Sequence, residues 1–442
     1  MKTPRLLLVY PATHTLGWIR RFQLPSLALK QVAAATPPEW EVLLADEAQE
    51  EIPFDGEFDL VGITAMTHQA VRAYEIADRF RLRNVPVVLG GIHPTVLPDE
   101  ALQHADAVVI GEAEPVWAEL LHDLLAGRMA PVYRAAIPDG SRLDIPWSRR
   151  DLLAGRKYLT TQTLQASRGC PYDCPFCITT NYFGKSFRYR DPDDILAELR
   201  SFSGKLTVFL DDNILGDPDR VKPILKGMAG MGLKWGGQAS LRFAEDPELV
   251  KLLAASGCIG IFVGIESGEG SYANHPKTGA RFSQSELIKR VRDTGVVVEA
   301  SVILGFDDHD EGIFERTVRF LEQCAPSLPT VHILTPYPGT AFFERFEREG
   351  RLLHRNWARY DHAQVVFKPT LMTPEQLYRG WLEVRQEVYR WPTILSRIIS
   401  ARRGRFTTLA YNLLRRGGNL SDTELATLAS SGNHYIRSIS GL

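Results

Sequence analysis

Two series of short apolar strands, each alternating with helix-patterned stretches, occupy most of this chain, and a connector bearing Pro131, Pro138, Gly140 and Pro146 divides them. In the first series, Arg5 to Tyr10, Trp40 to Ala45, Asp59 to Thr64, Val85 to Leu89 and Asp106 to Ile110 read as buried strands. Leu27 to Ala35 and Gln69 to Arg83 carry apolar residues at helical spacing. This alternation predicts an α/β domain over residues 1–130, a five-stranded parallel sheet with helices on both faces. The second series spans residues 159–366, with strands expected at Leu159 to Ala166, Leu206 to Leu210, Lys234 to Ala239, Ile259 to Ile265, Val296 to Ile303 and Thr330 to Leu334. Six strand–helix units predict a partial barrel, open relative to the eight-fold form.

The connector, residues 131–158, has little periodicity and reads as an ordered linker. Residues 367–442 are helix-patterned, and Thr373-Pro374-Glu375-Gln376 is a start signal, with Thr373 as the cap and Pro374 as the first helical residue. A chain of 442 residues holds two or three such domains comfortably. Its formal net charge of −2 gives no overall attraction to nucleic acid, no RNA-recognition module is identifiable, and no apolar run approaches a membrane span.

Both folds bind ligands at the carboxyl ends of their strands, and the unusual residues of this chain fall there. In the first domain these are Thr64-Ala65-Met66-Thr67, Gly90-Gly91-Ile92-His93-Pro94 and Gly111-Glu112-Ala113-Glu114. Any one glycine pair is explained by a tight turn, but recurrence on one sheet edge points to a ligand. In the barrel, Asp211-Asp212-Asn213, Ser240-Leu241-Arg242, Gly264-Ile265-Glu266-Ser267, Gly305-Phe306-Asp307 and Thr335-Pro336-Tyr337-Pro338-Gly339-Thr340 follow successive strands.

The first barrel strand is followed by Cys170-Pro171-Tyr172-Asp173-Cys174-Pro175-Phe176-Cys177, which holds three of the chain's five cysteines. A cubane iron–sulfur cluster normally takes four thiolates. Cys258 and Cys324 are far away in sequence, so three ligands would leave one iron open to bind a small molecule. Phe176 would shield a cluster edge. Disulfides do not fit an odd, sparse cysteine set without an apolar leader, and structural zinc lacks a second pair of ligands. Unprotected thiolates without an export signal suit a reducing cytoplasm.

This C-x3-C-x2-C loop, on the first strand of a six-unit barrel, resembles the radical S-adenosylmethionine (SAM) superfamily. The segments GITAMT, VVLGGIHPT and VVIGEAEPVW before it, and FLDDNIL, GIFVGIES, SVILGF, LTPYPGT and FKPTLMTPEQL within and after it, resemble the branch with an N-terminal cobalamin-binding domain. The likeness covers roughly residues 1–390. It implies that Cys170, Cys174 and Cys177 ligate a 4Fe-4S cluster whose open iron chelates SAM, which is cleaved to a 5′-deoxyadenosyl radical after reduction by an external donor such as flavodoxin or ferredoxin. It further implies SAM contacts for Phe176, Asp211, Asp212, Ser240, Arg242 and Glu266, and cobalamin contacts for Thr64, Thr67, Gly90, Gly91, His93, Glu112 and Glu114. Helix capping by either aspartate and a surface ion pair for Arg242 are the competing roles. His14 is the candidate axial cobalt ligand, although Ala12 stands where the histidine-ligating motif has aspartate.

The resemblance implies C-methylation of an unactivated carbon in a small substrate of lipid or tetrapyrrole type; no catalytic side chain is assigned. Cyclisation, oxidation or rearrangement on the same architecture is the alternative enzyme reading, and a cobalamin- or cluster-binding module the non-enzymatic one. Transfer-RNA methylthiolation is excluded, since it needs a second cluster and residues 1–169 contain no cysteine. In the tail, Arg397, Arg402, Arg403, Arg405, Arg415 and Arg416 alternate with apolar residues and no acid between Trp391 and Arg416. That pattern suits either peripheral contact with an anionic membrane or a solvated helix packed on the barrel.

Overall fold

A computed structural model describes residues 2–12, 23–136, 140–272, 276–278, 281–401 and 404–417. His14 lies outside the described residues. The N-terminal sheet contains β1 (Arg5–Tyr10), β2 (Glu41–Asp46), β3 (Leu60–Thr64), β4 (Val87–Gly90), β5 (Ala107–Ile110) and β6 (Val132–Arg134), all parallel, in the order β2-β1-β3-β4-β5-β6. Alternate side chains leave its two faces: Leu7, Val9, Val61 and Ile63 enter one core, whereas Leu6, Leu8, Val88 and Val109 enter the other. Burial on both sides is why these strands read as unbroken apolar runs.

The sheet has six strands, not the five that the sequence suggests. The extra strand is β6, which the sequence places in the linker; at three residues it is too short to show a period. The strand order reverses between β1 and β3, so a crevice opens at their carboxyl ends.

The second domain is a six-stranded parallel sheet in the order β14-β13-β12-β11-β10-β7, formed by β7 (Thr163–Leu164), β10 (Leu206–Phe209), β11 (Lys234–Ser240), β12 (Cys258–Glu266), β13 (Val297–Leu304) and β14 (Leu328–Ile333). An antiparallel hairpin, β8 (Ser167–Gly169) with β9 (Phe187–Tyr189), interrupts the series and frames the cysteine loop. The expected first strand is shortened because the amides of Ala166 and Ser167 turn to the Asp211 carboxylate instead of a neighbouring strand.

Thr373 caps the helix Pro374–Val388 through a capping box with Gln376, as its sequence signal indicates. The next helices, Trp391–Ser400 and Arg405–Gly417, pack on the barrel: Ile394 enters its core and Asn412 donates to the Ser327 carbonyl at 2.9 Å. Two arginines of this tail serve the packing, since Arg397 is buried and donates to the Val388 carbonyl and Arg416 donates to that of Tyr389. Phe343, Trp357, Tyr360 and Val366, from the end of the barrel, pack into the core of the N-terminal domain. Trp357 also donates its indole N–H to Glu100 at 2.8 Å, tying the two domains together. Among the described residues no helix is long and apolar enough to cross a membrane.

Candidate active site

The cysteine loop leaves the barrel through a glycine the geometry requires. Gly169 has φ +87°, and a Cβ there would lie 1.9 Å from the Ser186 carbonyl oxygen. Cys174 is buried, Cys170 and Cys177 are partly open, and the Cys177 amide donates to the Cys174 carbonyl at 3.0 Å. Burial pushes the Cys174 thiol up to about 12 and raises that of Cys170, while the Lys277 ammonium opposes the shift at both. Such thiols become thiolates only beside added positive charge, which iron supplies.

Among the described residues no three His, Cys, Asp or Glu side chains close on a point that a single ion would occupy. A cubane spreads its cysteines over different irons and suits a wider triangle. The fourth ligand is not another cysteine: Cys258 is buried with its thiol on the Gly260 carbonyl at 3.5 Å, and Cys324 is buried at the end of the helix Ile313–Cys324. The donor set therefore fits a cluster with one open iron.

The aspartate pair clamps this loop. Asp211 is fully enclosed and accepts from the amides of Ala166 and Ser167 and from the Ser167 hydroxyl at 2.6 Å. Asp212 accepts from the Thr179 hydroxyl at 3.0 Å and from the Gly169 amide, so it holds both ends of the loop. Burial raises their carboxyls to about 7 and about 6. Both carboxylates, suggested as SAM contacts, are thus engaged by the loop itself. Asn213 reaches the cysteine loop directly, its Nδ2 lying 3.6 Å from Cys170 Sγ, and its Oδ1 accepts the Ser240 amide at 3.0 Å.

Glu266 ends β12 at a bulge opposite β13, with φ +54°. A left-handed backbone at a residue other than glycine costs on the order of 1 kcal/mol and is retained where a side chain must be aimed. Here the buried carboxylate forms an ion pair with Lys277. Gly264 makes room for the pair, because a Cβ there would lie 2.3 Å from Glu266 Oε1. The Lys277 ammonium also stands 5.3 Å from the centre of the Phe176 ring. Phe176 in turn packs with Tyr272, Phe306 and Phe342, giving the loop an apolar wall that excludes water. Arg242 does not join this group; it is exposed, donates to the Pro276 carbonyl at 3.4 Å and lies 3.9 Å from Glu245. Lys277, partly buried, stands where a cation was expected and lies in a segment without a sequence pattern.

A cavity of about 420 Å³ opens at the carboxyl edge of the N-terminal sheet. Thr64, Gly90, Gly91, Glu112 and Glu114 line it, as the sequence suggests, with Leu8, Tyr10 and Met66. The barrel closes it with Gln165, Arg168 and Tyr182. An apolar, glycine-floored crevice at the strand-order reversal fits a wide flat ring such as a corrin. Two expected contacts are displaced. Thr67 is buried at the start of the turn Thr67–Gln69, and His93 is enclosed between Tyr74 and Trp357 with Nε2 3.2 Å from Glu100. Neither lines the cavity, because the chain turns away from the crevice after Met66 and after Ile92.

Glu112 and Glu114 are on the cavity wall, but their carboxylates are engaged across the domain boundary. Arg168 donates to Glu112 at 2.6 Å and to Glu114 at 2.5 Å, and Arg188 forms a second pair with Glu112. Burial alone would raise the Glu112 carboxyl; Arg188 and Arg168 outweigh it and hold it below the usual range. Arg168 stands two positions before Cys170, so one residue supports the cavity and the cluster loop. No local pattern in the sequence reveals it, since its partners lie more than fifty positions upstream.

Comparison with known proteins gives a consistent result. Residues 20–121 match the B12-binding domain, residues 164–321 the Radical SAM superfamily, and residues 340–404 a domain of unknown function. The chain is 34% identical over 392 residues to bacteriochlorophyllide d C-12(1)-methyltransferase of Chlorobaculum tepidum, covering 84% of each chain. The chain belongs to the cobalamin-binding radical SAM enzymes.

Within this family it is also 31% identical to bacteriochlorophyllide d C-8(2)-methyltransferase of the same organism, over 84% of this chain and 87% of the relative. Its fold is that of the radical SAM methyltransferase TsrM from Kitasatospora setae, with a TM-score of 0.63 at 17% identity over 79% of this chain and 78% of that one. The cofactors are accordingly a 4Fe-4S cluster, SAM and cobalamin. The chain is an enzyme with a small-molecule substrate.

Proposed function

We propose that this enzyme methylates an unactivated carbon on the periphery of a tetrapyrrole of chlorin type. The observation that carries the reading is the shared wall: Gln165 and Arg168, which lead into the cluster loop, close the cavity whose floor is Gly90 and Gly91. When bound, the cluster and SAM supply a hydrogen-abstracting radical and cobalamin supplies the methyl group. Arg168, Glu112 and Glu114 fix the two cofactor sites to one rigid element, so that a substrate carbon between them meets both. The aromatic wall around Phe176 keeps water from the radical. The chlorin class follows the printed activities of the two bacteriochlorophyllide methyltransferases.

Cys170, Cys174 and Cys177 are the cluster ligands in this reading, Glu266 with Lys277 holds SAM, and Thr64, Gly90 and Gly91 meet the corrin. Anaerobic reconstitution with iron, sulfide and hydroxocobalamin, followed by mass spectrometry with a bacteriochlorophyllide, tests it. Methylated pigment formed together with 5′-deoxyadenosine and S-adenosylhomocysteine is expected; methylation without deoxyadenosine contradicts hydrogen abstraction.

Electrons come from an external one-electron donor of flavodoxin or ferredoxin type, since each cleavage of SAM consumes one. The tail rests on an anionic membrane surface, where apolar pigments collect. Trp391, Leu395 and Ile399 repeat every fourth residue along the helix Trp391–Ser400 and are exposed, Ile399 to 73% and Phe406 beyond it to 84%. No acidic residue occurs between Glu387 and Asp422. An apolar stripe within a basic segment has the character of an interfacial helix.

A further inference from the structure

Three histidines converge where the N-terminal domain meets the last barrel strand, and neither the cluster nor the cobalamin cavity accounts for them. His332 lies on β14, His362 on the segment that caps the carboxyl end of β14, and His68 on the turn after β3. The rings of His332 and His362 are 5.6 Å apart at 70°. His68 is near enough to disfavour a proton on His362. The His362 carbonyl accepts from the Ile333 amide at 2.8 Å, which fixes this group at the same end of the barrel as the cluster loop.

His362 has φ +65°, a conformation few residues other than glycine adopt, and its side chain is nonetheless exposed. Its Nε2 stands 3.0 Å from the Tyr337 hydroxyl, and that hydroxyl is 2.9 Å from the Tyr360 carbonyl. A carbonyl only accepts, so the single Tyr337 proton goes to Tyr360 and the hydroxyl oxygen accepts from His362. Nε2 therefore carries the ring's proton. The neighbouring protein and His68 disfavour a second proton on His362, so the ring is neutral and Nδ1 keeps a bare lone pair. Among the described residues no hydrogen-bond donor meets that Nδ1.

We infer that His362 presents Nδ1 as the axial ligand of the central metal of a metallated chlorin substrate, with His332 beside it. This rests on the tetrapyrrole reading above. A chlorin dianion already balances the charge of its divalent metal, which takes one further neutral donor; a neutral imidazole with a fixed tautomer supplies it without burying charge. Tyr337 is the positioning residue, because its bond selects the tautomer as an outer partner does for a metal-bound histidine. Ligation fixes the height and plane of the ring and leaves rotation about the metal–nitrogen bond to select the peripheral carbon.

Titration of the full-length, cofactor-loaded protein with zinc pheophorbide a and with metal-free pheophorbide a, read by chlorin fluorescence and Q-band position, tests this. The zinc chlorin is expected to bind at least about tenfold more tightly, with the band shift of a five-coordinate metal. His362→Gly suits the left-handed backbone and so preserves the fold. It is expected to abolish the preference for the metal while leaving metal-free binding unchanged, and added imidazole is expected to restore the band shift. Equal binding of the two chlorins by the parent protein, or a metal preference that survives His362→Gly, overturns the ligation and leaves the tetrapyrrole reading intact. Binding of neither chlorin overturns both.

Discussion

The side-chain amide of Asn213 joins Cys170 to the third strand of the barrel: its nitrogen is 3.6 Å from Cys170 Sγ and its oxygen holds the Ser240 amide at 3.0 Å. A donor on a cluster sulfur stabilises the reduced, more negative state. Replacing Asn213 with Leu removes about 1 kcal/mol of such stabilisation and lowers the one-electron potential by roughly 40 mV. A redox titration followed by electron paramagnetic resonance checks this, with iron content unchanged from the parent.

Arg168 balances two buried carboxylates between the domains. Arg168→Met leaves both without that partner and is expected to destabilise the fold by about 3–5 kcal/mol. Pairing it with Glu114→Gln, which leaves Glu112 on Arg188, recovers part of the loss. Thermal unfolding of the three forms is the measurement, and retention of cobalamin on gel filtration follows the same order.

The acid side of the stability profile depends on Glu112. Its folded carboxyl lies below its ordinary 4.5, so the unfolded chain binds the proton more readily. Its contribution is complete above that value and is lost as pH falls through the lower, folded one. Asp211 has the opposite sign. Its folded carboxyl is raised from 3.8 to about 7, so the contribution of its protonated form is full below about 3.8 and is lost as pH rises toward 7. Urea unfolding of the cofactor-free protein is expected to show stability from this group declining between those limits, and Asp211→Asn to flatten that limb.

The cysteine loop was legible because its three cysteines are neighbours in sequence, and the strand ends because short apolar runs mark them. The partners of those residues were not legible. Glu112 meets Arg168 and Arg188 only after the domains dock, and Glu266 meets Lys277 and His362 meets His332 only once the barrel has folded, so no spacing in the chain encodes these contacts. Asp211 and Asp212 show the converse difficulty. Their position after a barrel strand suggested a cofactor contact, whereas backbone amides left unpaired by a two-residue strand claimed Asp211 and the ends of the loop claimed Asp212. Thr67 and His93 sit within a few residues of the crevice, but a turn buries them behind it.

The exposed stripe of the tail gives an independent prediction. Trp391→Ser with Leu395→Ser and Ile399→Ser changes only exposed side chains and is expected to leave the melting temperature within a degree or two, about 0.5 kcal/mol per site at most. Flotation with vesicles containing phosphatidylglycerol is expected to carry the parent protein and not the triple variant. Equal flotation of both removes the membrane reading.

The central claim concerns where the radical and the methyl group go. Turnover with SAM deuterated in its methyl group and with a bacteriochlorophyllide deuterated at the acceptor carbon tests it most directly by mass spectrometry. The account predicts pigment bearing an intact trideuteromethyl group, together with 5′-deoxyadenosine that has gained one deuterium from the acceptor carbon. Deuterated deoxyadenosine with no methylated pigment, or methylated pigment with unlabelled deoxyadenosine, would contradict it.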